Sequence, residues 1–317
     1  MTFTTLLVVV FALVLDALLG EPRRWHPLVG FGWIAHRLEQ QLNRAPTLRI
    51  RTCFAGFTSM SLLILVPLLL TLSVASLLED VSTHTRSLFE VGIVYWAIGH
   101  QSLRQHVLAV YDALKGDNLT EARSAIGMIV SRDTQQLAPH QISAAAIETT
   151  LENGNDALFG VIFWYLLGGL PMVVVYRLSN TLDAMWGYRT TRFEWFGKPA
   201  ALLDDLLNFI PARLVALSYA LLGNYQTAIT SWRRFAPLLP SPNAGPVMAA
   251  GAGSLDLQLG GAARYHNSPV SKPEFGGTKQ PEPDDIPRAL ALVARTLKLW
   301  LTVIAFVVAT SLVSRGL

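Results

Sequence analysis

Residues 148–178 read ETTLENGNDALFGVIFWYLLGGLPMVVVYRL, and the joint inside this stretch decides how the chain is built. Its first part carries Glu148, Glu152 and Asp156 at intervals of four, which a helix lines up on one stripe. Like charges at that spacing cost a helix about 0.2–0.5 kcal/mol per pair, so a sequence that keeps three of them points to a cation. An apolar run long enough to cross a bilayer follows at 157–178, with Gly168, Gly169 and Pro171 at its centre. Such a break predicts a kink or a re-entrant hairpin, tolerated at membrane depth only where the freed backbone groups are packed in protein.

The rest of the chain has the same character. Of its 317 residues 51% are hydrophobic and 15% charged, and the mean hydropathy is +0.38. An ordinary soluble domain carries about 25% charged residues. The chain therefore reads as an all-α polytopic membrane bundle, a single domain over 1–317 with broken or re-entrant helices and polar loops. The candidate spans are 4–20, 53–78, 89–110, 157–178, 209–222 and 299–313. The first lacks a basic leader and a small-x-small cleavage site, so it reads as a retained anchor. The third is interrupted by Gly99, His100, Gln101 and Arg104, and a buried amphipathic segment is its alternative. The fifth is short, holds Pro211 and Arg213, and suits an interfacial position. Residues 268–287, rich in Pro, Gly and charge, read as a loop.

Cys53 is the one cysteine, which excludes an internal disulfide framework and reads as a small apolar filler at a helix start. The net charge of +3 comes from basic residues spread among loops without interleaved aromatics, which argues against nucleic acid. Positive-inside topology explains them: Arg23, Arg24, Arg37, Arg44, Arg49 and Arg51, and later Arg288, Arg295 and Lys298, predict cytoplasmic segments and both termini outside.

Several polar positions carry chemistry. Asp16 falls inside the first span, where a charge is a functional hypothesis by default, with turn-locking as the alternative. Glu21 and His26 follow in a Pro-rich turn. Arg132 and Asp133 read as a neighbour ion pair, solvated or structural. The acidic stripe, with Asn153 beside it, offers oxygen-only ligands of the kind that suit Mg²⁺, which takes one or two carboxylates plus substrate phosphates. Asn180, Asp183 and Gly187 share a helix face, with Arg177 on the same side and Arg189 just beyond. Asp204, Asp205 and Asn208 read as acids at a helix end, with Arg213 nearby as a planar fork for phosphate or carboxylate. Asn243 lies in the turn sequence SPNAG, followed by Gly251, Gly253, Gly260 and Gly261, which serve either phosphate approach or close helix packing. No P-loop, Rossmann glycine motif or HExxH zinc motif is present.

Taken in order, these stretches resemble the cobalamin-biosynthesis membrane family of adenosylcobinamide-phosphate synthase. The matching segments are DALLGEP from Asp16 with His26-Pro27, Arg132-Asp133-Thr134, Glu148 with Glu152-Asn153 and Asp156, Asn180 through Asp183 to Arg189, Asp204-Asp205 to Arg213, and SPNAG around Asn243. The resemblance implies an amide-forming ligase that joins aminopropanol, or its phosphate, to a propionate carboxylate of adenosylcobyric acid with ATP and Mg²⁺. It implies Glu152, Asp156 and Asp183 as catalytic and metal-holding groups converging on one Mg²⁺-phosphate. Arg189 and Arg213 become anion contacts, and Asp16, Glu21 and His26 the corrinoid or amine side. Asn153, Asn180, Asp205, Asn208 and Asn243 complete the expected substrate-binding set. The implied setting is the cell inner membrane with the site facing the cytoplasm, the partners are the corrinoid, the amine and the lipid bilayer, and a homo-oligomer fits as well. A non-enzymatic sensor or regulatory paralogue and a small-molecule transporter are the competing classes, the latter using the GGLP break as a discontinuous helix.

Overall fold

The computed structural model describes residues 2–21, 27–44, 48–265 and 268–314. It is a helical membrane bundle, 80% helical. The helices are α1 (Phe3–Leu19), α2 (Pro27–Leu42), α3 (Arg49–Val81), α4 (Thr83–Ala97), α5 (His100–Lys115), α6 (Leu119–Gly127) and α7 (Pro139–Gly154). A π-helical turn, Asn155–Phe159, leads into α8 (Gly160–Trp186), followed by α9 (Lys198–Leu222), α10 (Tyr225–Phe235), α11 (Ala244–Leu255) and α12 (Asp285–Ser314). Starts are set by side-chain caps: Ser82 accepts from the Thr85 N–H at 3.1 Å, Asn118 from Glu121 at 3.1 Å and Asn224 from Thr227 at 3.2 Å.

Three helical stretches are long and apolar enough to cross a membrane, Arg49–Val81, Pro139–Trp186 and Asp285–Ser314. Along α3, Phe54, Leu62, Leu69 and Leu70 are all more than half exposed. An apolar stripe left open on so long a helix is what a hydrocarbon solvent permits and water does not.

The middle stretch is not one rod. Gly169 has φ 63° and ψ −154°, a region open in practice to glycine alone. A Cβ on Gly160 would collide with the hydroxyl and ring of Tyr176. In a straight helix those residues would stand about 24 Å apart, so the chain doubles back at Gly169. The break expected at Gly168-Gly169 is therefore a hairpin.

Three expectations need correction. The stretch 89–110 is two helices, because Ile98 is extended (φ −79°, ψ 137°) between α4 and α5. Of the second, Leu103, Val107, Val110 and Leu114 are buried, as an amphipathic helix requires. The stretch 209–222 is the second half of a continuous α9, so Asp204, Asp205 and Asn208 stand within a helix and not at its end. Pro211 does not break α9 because the carbonyl it deprives, that of Leu207, accepts the Trp164 indole N–H at 3.0 Å. Last, 268–276 is no loop: β2 (Ser268–Gly276) pairs antiparallel with β1 (Gln258–Tyr265), with a bulge between Leu259 and Gly261.

The chain forms two compact units, one of Met1–Gly99 with Gly160–Asn208, the other of His100–Phe159 with Phe209–Leu317. In the first, Phe31 and Ala35 of α2, Met60 and Leu63 of α3, and Leu182 and Trp186 of α8 belong to one buried cluster. Trp186 meets Phe196 edge-on, with ring centres 5.0 Å apart. In the second, α7 is central: α5, α6, α11, α12 and β1 all touch it, and eleven of its sixteen residues are buried. At its end the Asn155 N–H bonds to Glu152 O, so Leu151 O lacks its helical donor and takes the Tyr219 hydroxyl at 3.2 Å. Gly154 leaves the room that Tyr219 and Val293 fill.

Candidate active site

In the first unit α8 and α9 carry a hydrogen-bonded chain. The Tyr176 hydroxyl donates to Asn208 Oδ1 at 2.9 Å, Asn208 Nδ2 to Asp204 Oδ2 at 3.1 Å, and Asn180 Nδ2 to Asp204 Oδ1 at 3.3 Å. Tyr176, Asp204 and Asn208 are buried. The sequence-predicted Asn180 and Asn208 thus meet through Asp204, because α9 continues past the point where a helix end was expected. The acidic fork orients both amides. Asp183, one turn after Asn180, is half-buried, and its carboxylate fills the space where Gly187 has no side chain.

The same unit holds a cavity of about 270 Å³ lined by Gly187, Tyr188, Arg189, Glu194, Lys198 and Asp205 among others. It brings Arg189 and Asp205, sixteen positions apart in the sequence, to one chamber, and adds Glu194 and Lys198, which sequence reasoning missed. Nothing in the sequence marks those two: Glu194 sits in the ordinary polar connection before α9 and Lys198 is the first residue of α9. Burial pushes the Asp205 carboxyl above the usual carboxylate range, and the nearby Arg189 charge opposes that rise. Asp16 is buried on α1, Glu21 is exposed after it, and His26 falls outside the described residues.

The second unit holds the acidic stripe, and the structure divides it. Glu148 is buried: Oε2 accepts from Arg132 Nη2 at 2.5 Å, and Oε1 from the Gly260 N–H at 2.9 Å. Arg132 therefore pairs with Glu148 and not, as its neighbour suggested, with Asp133, whose Oδ1 accepts from the Gln135 N–H. Gly260, with φ 89°, does bring a backbone N–H to an anion, but the anion is the protein's own carboxylate. A cavity of about 160 Å³ opens beside this tie, lined by His140, Gln141, Gln258 and Glu274 among others.

Glu152, Asn153 and Asp156 are all partly exposed. Asn153 Nδ2 donates to Thr149 O at 3.2 Å and Asn155 Nδ2 to Asp156 Oδ1 at 2.9 Å. Asp156 lies in the π turn, a distortion frequent at functional sites because it re-aims side chains without ending the helix. Arg213 Nη1 donates to Asn243 Oδ1 at 2.8 Å and Nη2 to Pro242 O at 3.1 Å, so these two predicted residues meet. Ser241 Oγ accepts from the Asn243 and Ala244 N–H groups and starts α11. Gly251 and Gly253 serve packing, against Leu151 and the Thr227-Ala228 backbone.

Among the described residues no group of three or more His, Cys, Asp or Glu side chains could hold a metal ion. Magnesium that arrives with a nucleotide needs only one or two protein carboxylates, the rest of its shell being phosphate and water. Glu152 and Asp156 lie in one unit and Asp183 in the other.

The fold is that of a polytopic helical membrane protein with polar chambers. The chain matches the family described as CobD/Cbib protein over residues 9–293, and it belongs to that family. It is 51% identical over 298 residues to the cobalamin biosynthesis protein CobD of Stutzerimonas stutzeri, covering 94% of this chain and 96% of the relative. It is 47% identical to the protein of that name from Chromobacterium violaceum, covering 91% and 92%, and 35% identical to that of Mycobacterium tuberculosis, covering 90% of each. No solved structure matches. The comparisons thus support a role for the chain in cobalamin biosynthesis.

Proposed function

We propose that this chain is an ATP-dependent amide-forming ligase, joining aminopropanol or its phosphate to a propionate carboxylate of adenosylcobyric acid. The observation that carries the reading is the cavity that unites Arg189 with Asp205. An amino alcohol phosphate has a cation at one end and an anion at the other. A chamber with Arg189 and Lys198 on one hand and Glu194 and Asp205 on the other complements both.

A carboxylate resists attack by an amine until one of its oxygens becomes a leaving group, and the amine attacks only after losing a proton. Bound ATP with Mg²⁺ would supply the first condition, and we assign Glu152 and Asp156 of the second unit to it. Asp205 supplies the second: burial raises its proton affinity, so it accepts the ammonium proton more readily than a solvated carboxylate would. Arg189 and Arg213 hold phosphate charge. The Tyr176–Asn208–Asp204–Asn180 chain fixes two amides in place before substrate arrives. Asp16, Glu21 and His26 are assigned to the corrinoid side, Asn153 and Asn243 to polar contacts, and the site to the cytoplasmic side of the inner membrane.

The test is reconstitution. Purified full-length protein in detergent, given adenosylcobyric acid, aminopropanol phosphate, ATP and Mg²⁺, should form the amide and consume ATP in step. Protein that binds the corrinoid but turns over no ATP would support the non-enzymatic paralogue instead.

A further inference from the structure

A second, larger cavity in the first unit has different chemistry. It measures about 770 Å³, and its wall is apolar: Phe54, Phe57 and Met60 of α3 face Leu202, Leu203 and Leu206 of α9. At one end the apolar lining gives way to two cations. Arg49 lies with Cζ 5.1 Å, and Lys198 with Nζ 4.9 Å, from the centre of the Trp195 ring. Both cations belong to exposed residues, as do Phe54, Leu202 and Leu206.

A corrinoid fringed with hydrogen-bonding groups would find no partners along such a wall, and burying those groups unpaired is costly. An acyl chain loses nothing there. An aromatic ring at one end marks the level of the headgroups, where indole is favoured, and basic side chains at that level attract anionic lipid. Arg49 is also the first residue of a helix long enough to span the bilayer, so the cations stand at a membrane surface and the groove runs inward from them.

We propose that this groove is a specific site for an anionic phospholipid, with the phosphate on Arg49 and Lys198 beside Trp195 and an acyl chain along Phe54, Phe57 and Leu206. The groove shares Lys198 with the polar chamber assigned to the ligase, and its occupancy is read without turnover. The two cations together should favour phosphatidylglycerol over phosphatidylcholine by about 30-fold, from the usual contribution of each basic side chain near anionic lipid.

Cys53 lines the groove and is the chain's single cysteine, so it reports occupancy without mutation. Full-length protein in detergent would be treated with an uncharged maleimide while phosphatidylglycerol or phosphatidylcholine is added at equal mole fractions. Phosphatidylglycerol should slow alkylation of Cys53 at about 30-fold lower concentration than phosphatidylcholine does, and R49Q/K198Q should remove the difference. Equal protection by the two lipids in the unmodified protein would overturn the proposal, as would a preference that survives the double substitution. Protection that appears without lipid and rises with protein concentration would also overturn it, because the occupant would then be a second copy of the chain.

Discussion

Glu148 with Arg132 and Asp205 with Arg189 are both acid–arginine combinations near the edge of an apolar segment, yet they are built for opposite ends. Glu148 is closed: each carboxylate oxygen has a partner, and the side chains of Glu148 and Arg132 are 4% and 10% exposed. Asp205 and Arg189 face a chamber of about 270 Å³ with Glu194 and Lys198 beside them. In the first case the charges hold α7 to the segment before it and to the β1 strand. In the second they line an open chamber. What separates the two is whether the protein has filled the space around the charges.

Substitution at the closed pair should give the largest effect. Glu148→Ala leaves the Arg132 guanidinium buried without its counter-charge and strips the Gly260 N–H of its acceptor. Breaking one side of a buried pair costs about 3–5 kcal/mol, so the variant should melt far below the unmodified protein in detergent and accumulate poorly in membranes. Asp205→Asn should reverse the pattern, with melting unchanged and amide formation at saturating substrate down about 10²–10⁴-fold, the range for loss of a positioned proton acceptor. If Asp205→Asn unfolds the protein while Glu148→Ala keeps its stability, the two regions have been assigned the wrong way round.

That contrast was only partly legible in the sequence. Of the three acids Glu148 and Glu152 stand on α7 and Asp156 in the π turn after it, and their spacing could not say that Glu148 turns to Arg132, sixteen residues earlier, and to Gly260, 112 residues later. The GGLP break was legible because Gly-Gly-x-Pro has a local backbone meaning, and the chain does reverse at Gly169. Pro211 misled for the complementary reason. Its local meaning is helix-breaking, and the indole of Trp164, 43 residues before the carbonyl it satisfies, cancels that meaning. The 268–276 strand was missed because Gly, Pro and charge dominate it, and only pairing with β1 makes it a strand. Arg189 and Asp205 were each picked out, whereas Glu194 of the α8–α9 connection and Lys198 at the start of α9 enter the chamber only through the fold.

A third pair, Glu39 with Arg192, sharpens the comparison because it is closed on one side only. Arg192 donates from Nε to Glu39 Oε1 at 2.9 Å and from Nη2 to Oε2 at 2.8 Å, and Asn43 Nδ2 adds a bond to Oε1 at 2.8 Å. The Glu39 side chain is 1% exposed and that of Arg192 53%. Arg192→Ala therefore leaves a buried carboxylate that keeps Asn43 and gains access to water where the arginine stood. The loss should be about 2 kcal/mol, smaller than for Glu148→Ala, and visible as a modest fall in melting temperature with the specific activity of the folded protein retained. A loss as large as that of Glu148→Ala would mean that partner count, and not enclosure, sets the cost.

The subtlest test lies in the open chamber itself. Burial raises the proton affinity of Asp205 and the Arg189 charge lowers it, so the two effects oppose each other at one carboxyl. Only the ionised form accepts a proton, so turnover should fall as pH drops through the Asp205 pKa, which burial holds above the ordinary carboxylate range. Arg189→Gln removes the lowering influence. The pKa then rises, the neutral acid persists to higher pH, and the acidic limb of kcat should move to higher pH. Measured at saturating amine, this shift is separate from any rise in KM caused by losing a phosphate contact, and a role confined to packing would leave the limb in place. If the limb stays fixed in Arg189→Gln while KM rises, Arg189 holds the anion alone, and the proton acceptor has to be sought at Glu194 across the same chamber.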